Sequence, residues 1–158
     1  MYSRTNQFGL NEEQKMVVET VRSFVENEIY PLENQIEKLG IVPDEIGQNI
    51  KNKVKQLGFF APNMPVEVGG GGLDNLTFAL LERELGRGSQ GLTIFWGRPS
   101  NILMACNKEQ REEYLYPAIK GDKFDALAMT EPSAGSDVRG MKCFAQRDGD
   151  DYIVNGTK

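Results

Sequence analysis

Apolar residues in the first part of the chain recur every three or four positions, the spacing of one helical face. Val17, Val18, Val21, Phe24 and Val25 draw such a stripe, with Lys15, Glu19, Arg22 and Glu26 on the other side. This predicts a helix from Asn11 to Tyr30. Asn11 caps it, Gln14 completes a capping box, and Glu12 and Glu13 face the positive end of the helix dipole. Pro31 ends or redirects the helix, and a short helical stretch, Leu32–Leu39, stops at Gly40. A second stripe, Ile46, Ile50, Val54 and Leu57, predicts a helix from Pro43–Asp44 to Gly58. Phe59 to Gly72 carries Pro62, Pro65 and a run of four glycines and reads as non-helical. Asp74 caps the next helix, whose Leu76, Phe78, Ala79, Leu80, Leu81 and Leu85 are so nearly continuous that deep burial is expected.

From Ser89 to Cys106 an apolar stretch is broken by Gly97 and Pro99, which predicts two short helices with Pro99 opening the second. Asn107 and Gln110 form another capping box for a helix whose apolar side is Tyr114, Leu115, Ala118 and Ile119, ended by Gly121. After Asp122 the texture changes. Phe124–Met129 reads as a buried strand, and Lys142–Arg147 alternates weakly. Arg147–Asp151 reads as a turn, Tyr152–Val154 as a strand entry, and Asn155-Gly156 as a second turn. The fold class is therefore mainly α: an N-terminal up-and-down bundle of five to six helices, then the first strands of an incomplete β-barrel domain. The domain reading is 1–121 helical and 122–158 β. Two or three strands are too few for a stable sheet alone, so the chain reads as a fragment.

Composition narrows the chemistry. The 158 residues are 39% hydrophobic and 26% charged, as in a globular protein, and a net charge of −5 argues against nucleic acid or anionic membrane as partner. No apolar run is long enough to span a membrane, and Met1 to Leu10 lacks a signal-peptide core. Cys106 and Cys143 read as reduced thiols of a cytoplasmic protein. The chain has no histidine, which removes histidine-dependent hydrolase triads and histidine-ligated metal sites.

The densest candidate chemistry is Ala128-Met-Thr-Glu-Pro-Ser-Ala-Gly-Ser-Asp-Val-Arg-Gly140. An apolar approach, a hydroxyl, an acidic-proline corner and small residues suit a flat polar cofactor with a charged tail. Glycine lets backbone donors approach an anionic oxygen closely. Pro132 fixes the corner, and Asp137 closes the turn on nearby backbone. The Gly69–Gly72 run lacks the Gly-Lys-Ser/Thr ending of a phosphate loop and reads as an inter-helix loop. Glu82, Arg83 and Glu84 read as a solvated helix edge. Glu12-Glu13 and Glu112-Glu113 read as helix-start charges, and Asp148, Asp150 and Asp151 do not fit a calcium loop.

The segment Ala128–Gly140 resembles the first signature of the acyl-CoA dehydrogenase family. The likeness extends in order through Asn11-Glu-Glu-Gln-Lys15, Leu57-Gly-Phe-Phe60 with Pro65 and Gly69-Gly70, Asn107–Leu115, and Tyr152-Ile-Val-Asn-Gly-Thr-Lys158. It implies an N-terminal helical domain, a middle β-barrel and a C-terminal helical bundle, with FAD and an acyl-CoA thioester between them. The implied reaction is α,β-desaturation: a carboxylate base takes the α-proton while hydride leaves the β-carbon for the flavin. In most of the family that base is a downstream glutamate, so no catalytic residue is assigned in this chain. Leu127, Met129 and Thr130 match positions facing the flavin ring edge. Gly135 and Ser136 match the turn near the cofactor phosphates, with Ser136 also on the substrate side. Thr93, Phe95 and Trp96 match acyl-pocket positions, although aromatics in an apolar helix are more often core. The resemblance further implies fatty acid metabolism, an electron-transfer acceptor of unspecified identity and a homo-oligomeric parent. Alternatives are an acyl-CoA oxidase or flavin monooxygenase on the same scaffold, or a non-catalytic helical binding or assembly module. The fragment itself is expected to be inactive and to bind FAD weakly or not at all, because one wall cannot enclose the ring.

Overall fold

The structure is a computed structural model and describes residues 9–158; the signal-peptide reading of the N-terminus falls mostly outside them. The chain divides into two compact units, one ending at Phe124 and the other Asp125–Lys158.

The first unit is helical. Helix α1 (Glu12–Phe24) starts at the Asn11–Gln14 capping box, with both reciprocal hydrogen bonds formed. It does not stop before Pro31. A π-helical turn, Val25–Ile29, carries it directly into α2 (Tyr30–Leu39). The same device recurs later, where α6 (Lys108–Gln110) passes through a π turn, Arg111–Leu115, into α7 (Tyr116–Lys120). In both places a proline, Pro31 or Pro117, lies two residues beyond the π turn. Proline lacks an N–H and its ring strikes the carbonyl one turn back, and the wider π turn relieves that clash while the helix continues.

Helix α3 (Asp44–Gln56) and helix α4 (Asn75–Leu85) complete the framework. Two shorter pieces follow α4. One is α5 (Gln90–Thr93), running into a 3-10 turn at Ile94–Trp96; the other is a 3-10 segment at Asn101–Ala105, capped by Ser100. Helix α4 is buried along one face only. Leu80, Leu81 and Leu85 are inside while Leu76 is 53% exposed, so the near-continuous apolar run overstated its burial. Leu57 likewise lies outside the stripe it was expected to extend.

The main core joins Val17, Val21, Phe24, Val25, Ile29, Ile50, Val54, Leu81, Leu85, Leu92 and Trp96. Trp96 meets Phe24 edge-on at 4.8 Å and stacks at 6.2 Å on Phe59. A smaller cluster, Ala61, Met64, Val68, Leu115 and Ile119, lies under the loop between α3 and α4. Gly70 is required in that loop, because a Cβ there would overlap the Met64 carbonyl. Lys51, almost fully buried, donates to the Gly121 carbonyl at 2.8 Å and so pins the end of α7 to α3. Burying its aliphatic stem while the ammonium finds an acceptor is how a lysine is tolerated inside.

One charged residue is also inside. Glu84 of α4, expected on a solvated edge, is 2% exposed. Its carboxylate accepts two bonds from Arg22 of α1, both at 3.0 Å, and further bonds from Arg83 and Arg87. Burial alone would raise its pKa, but hydrogen bonds from Arg22, Arg87 and Arg83 overcome that and hold it at about 2.

The second unit contains a hairpin of β1 (Phe144–Asp148) and β2 (Asp151–Asn155), antiparallel, with Asp148 opposite Asp151. Gly149, at φ +63°, supplies the left-handed position of the two-residue turn. Phe124–Met129 is not a strand and is not buried: Phe124 and Leu127 are both about two-thirds exposed. A strand needs a neighbouring backbone to pair with, and the described residues supply none there.

Candidate functional site

The corner at 128–140 is built around two short-range devices. Glu131 and Ala134 exchange backbone hydrogen bonds at 2.9 and 3.2 Å, closing a turn over Pro132 and Ser133. Asp137 then accepts from Arg139 N at 3.2 Å through its carboxylate and from Gly140 N at 3.0 Å through its carbonyl. Both turns are closed by residues within the corner, so its outer side is open. Leu127, Met129, Thr130, Gly135 and Ser136 are all exposed. The backbone N–H groups of Thr130, Gly135 and Ser136 engage no acceptor among the described residues. A Cβ added at Gly135 would meet nothing within 4 Å. Small residues, open donors and free space together fit a ligand carrying acceptor oxygens, as the phosphates and ring carbonyls of FAD do. The five residues expected at the cofactor thus lie along one short open edge-and-turn segment.

Beneath this edge lies a charged anchor that periodicity did not reveal. The Glu131 side chain accepts from Lys142 N at 2.6 Å and from Cys143 N at 3.0 Å, and pairs with Lys158 Nζ at 2.9 Å. The Lys142 amide, the Lys158 ammonium and the Cys143 amide hold its pKa at about 2, against the opposing effect of burial. The Cys143 thiol is pushed up, first by burial and then by the neighbouring carboxylate. That keeps it protonated and unsuited to act as a nucleophile. The only sequence signal for the anchor was an acidic residue inside the corner.

Other candidates resolve plainly. The N–H groups of Gly69, Gly70, Gly71 and Gly72 all donate within their own loop, to Val66, Pro65, Ala61 and Met64, which leaves none for a phosphate. Trp96 and Thr93 are buried in the helical unit, and Phe95 packs half-buried against its core. Among the described residues no group of three or more acidic or cysteine side chains could hold a metal ion. A groove of about 640 Å³ on the helical unit, with Thr20, Ser23, Phe24 and Leu57 in its walls, includes none of the residues of the corner.

Comparison with known proteins supplies the family. Residues 11–122 match the acyl-CoA dehydrogenase N-terminal domain, and the chain belongs to the acyl-CoA dehydrogenase family. It is 38% identical to the mitochondrial isovaleryl-CoA dehydrogenase of Bos taurus, over 95% of this chain and 36% of that protein. It is 34% identical to the caffeyl-CoA reductase-Etf complex subunit CarC of Acetobacterium woodii, over 94% and 40%. Among solved structures it resembles a glutaryl-CoA dehydrogenase of Mycobacterium smegmatis in complex with FADH2, with a TM-score of 0.71 and 29% identity over 93% of this chain and 38% of that one. The chain therefore spans a little over a third of the length of these relatives.

Proposed function

We propose that this chain is the N-terminal part of an FAD-dependent acyl-CoA dehydrogenase. In this reading residues 1–121 form the helical domain and residues 122–158 open the middle β-domain. The observation that carries it is the exposed, donor-bearing edge formed by Leu127, Met129, Thr130, Gly135 and Ser136. Leu127 and Met129 offer an apolar border to the ring. Thr130 offers an N–H and a hydroxyl to its polar edge, and Gly135 and Ser136 offer backbone donors to phosphate oxygens. Ser136 also faces the acyl-CoA. FAD, when bound, supplies the electron sink that accepts hydride from the substrate β-carbon. No residue here takes the α-proton. That base belongs to a segment beyond this chain, and the chain alone is inactive.

The wider setting follows the same relatives. Two are named dehydrogenases and one a subunit of a reductase-Etf complex, so an electron-transferring flavoprotein is the proposed redox partner; fatty acid metabolism is the setting that the family resemblance implies. The parent is a homo-oligomer in the cytoplasm. The unpaired Cys106 and Cys143 accord with a reducing compartment, and among the described residues no helix is long and apolar enough to cross a membrane.

Gly135→Val in the full-length protein tests the assignment. Because a side chain at Gly135 meets nothing in the structure, the fold should be indifferent to it while a cofactor phosphate should not. FAD occupancy, read from the ratio of visible to ultraviolet absorbance, should fall several-fold with the far-ultraviolet helical signal unchanged. Equal occupancy in the variant and the wild type would refute the placement of the phosphates at this turn.

A further inference from the structure

Lys158 is not among the five residues assigned to the cofactor, yet it touches three parts of the second unit at once. Its Nζ lies 2.9 Å from Glu131 Oε1, 3.0 Å from the Met129 carbonyl oxygen and 3.2 Å from Met141 Sδ. An ammonium group has three N–H donors, and here each has an acceptor. Glu131 in turn holds the amides of Lys142 and Cys143. The edge, the corner and the approach to β1 are therefore gathered on one ion pair, of which the carboxylate side is 4% exposed. Gly156 makes the approach possible. It is at φ +136°, and a Cβ there would overlap Cys143 Sγ, so only glycine lets the segment after β2 pass close enough to deliver Lys158.

This contact fixes more than position. A trans peptide is planar, and its C=O and N–H point in opposite directions. No cis peptide occurs among the described residues. Holding the Met129 carbonyl toward Lys158 therefore aims the next N–H, that of Thr130, away from the ion pair. That N–H engages no acceptor among the described residues. We propose that Lys158, anchored by Glu131, is a positioning residue that orients the Met129–Thr130 peptide so that the Thr130 N–H is presented as a donor to the flavin ring edge. This rests on the flavin reading above. A donor aimed at an acceptor of the ring favours the reduced flavin, where that edge carries more negative charge. The ion pair thus sets both how tightly the ring is held and how readily it takes electrons. Without Lys158 the peptide is free to rotate, and ring binding must then include the cost of ordering it.

The test uses the full-length protein, with Lys158→Met and Glu131→Gln prepared beside the wild type. Lys158→Met keeps an unbranched apolar stem and removes all three donors; Glu131→Gln keeps the shape of the anchor and removes its charge. FAD affinity of the apoprotein, and the midpoint potential of the flavin at saturating FAD, are measured for each. The expected result is about tenfold weaker FAD binding for Lys158→Met, the loss of one well-placed donor. Its midpoint potential should also move negative, and Glu131→Gln should shift both quantities in the same direction. Far-ultraviolet dichroism should match the wild type. If Lys158→Met does not fold, the same two readouts on Glu131→Gln decide. Unchanged affinity and potential in a flavin-loaded wild-type background overturn the proposal and leave the flavin reading intact. Weaker binding with an unchanged potential overturns the orientation of the Thr130 donor, because a purely structural brace would alter occupancy alone. A wild type that binds no FAD overturns the flavin reading, and this proposal with it.

Discussion

Glu84→Ala should cost the helical unit about 3 kcal/mol, the lower end of what removing one partner from a buried ion pair produces. The variant leaves Arg22, Arg83 and Arg87 around an empty carboxylate position, and Arg22 loses both of its 3.0 Å bonds. The lower end applies because the guanidinium groups reach water: Arg22 is 22% exposed and Arg83 56%. Thermal melting followed at 222 nm should fall by on the order of 10 °C. The same residue predicts a pH dependence. Its folded pKa is about 2 against an ordinary value of 4.5, so between those values the unfolded chain binds more protons than the folded one. Stability then rises with pH across that window. Glu84's contribution is fully present above pH 4.5 and disappears as pH falls toward 2. In Glu84→Ala this part of the acid sensitivity should be missing. A variant that melts like the wild type, with the same acid profile, would show that the arginines gain nothing from the carboxylate.

Trp96→Ala should be at least as severe, about 3–5 kcal/mol, because a large side chain at the junction of α1, α3 and the turn after α5 is replaced by a cavity. Trp96 is completely buried, and its contacts with Phe24 and Phe59 would both be lost. Trp96→Phe should cost much less. The indole Nε1 is buried with no hydrogen-bond partner among the described residues, so a phenyl ring removes an unsatisfied donor along with some volume, and the two effects oppose each other. Chemical denaturation of the two variants, followed by far-ultraviolet dichroism, separates these outcomes. Equal losses would mean that the indole N–H is satisfied in solution. Trp96 is the only tryptophan in the chain, so wild-type fluorescence reports this core alone.

Much of the helical unit was legible from local rules. The Asn11–Gln14 and Asn107–Gln110 boxes and the Asp74 cap each formed where the residues placed them. Such caps satisfy donors within three residues of the cap, so a short window holds the whole cause. Prolines were harder. Pro31 marks a point where an ideal α-helix fails, but the choice between ending and widening depends on whether the next turn has core to bury. Ile36, beyond the proline, is buried in the same core as Val25 and Ile29, and the helix continues. The strand expected at Phe124–Met129 failed for a related reason. An apolar run supplies side chains for a sheet but says nothing about a partner backbone.

The amino-acid sequence alone determined the helix starts at Asn11, Asp74 and Asn107, the hairpin turn and the family, because each is written in residues close together or in a long ordered pattern; the start expected at Pro99 falls instead at Asn101, under the Ser100 cap. Only the tertiary structure decided which charges are interior. Glu84 meets Arg22 across 62 positions and Glu131 meets Lys158 across 27, and no spacing rule links such pairs. A glutamate beside an arginine on a helix looks solvated until a second helix brings another guanidinium to its other side. Burial of a charge is a property of where two distant segments pack, and folding, not local pattern, assigns it.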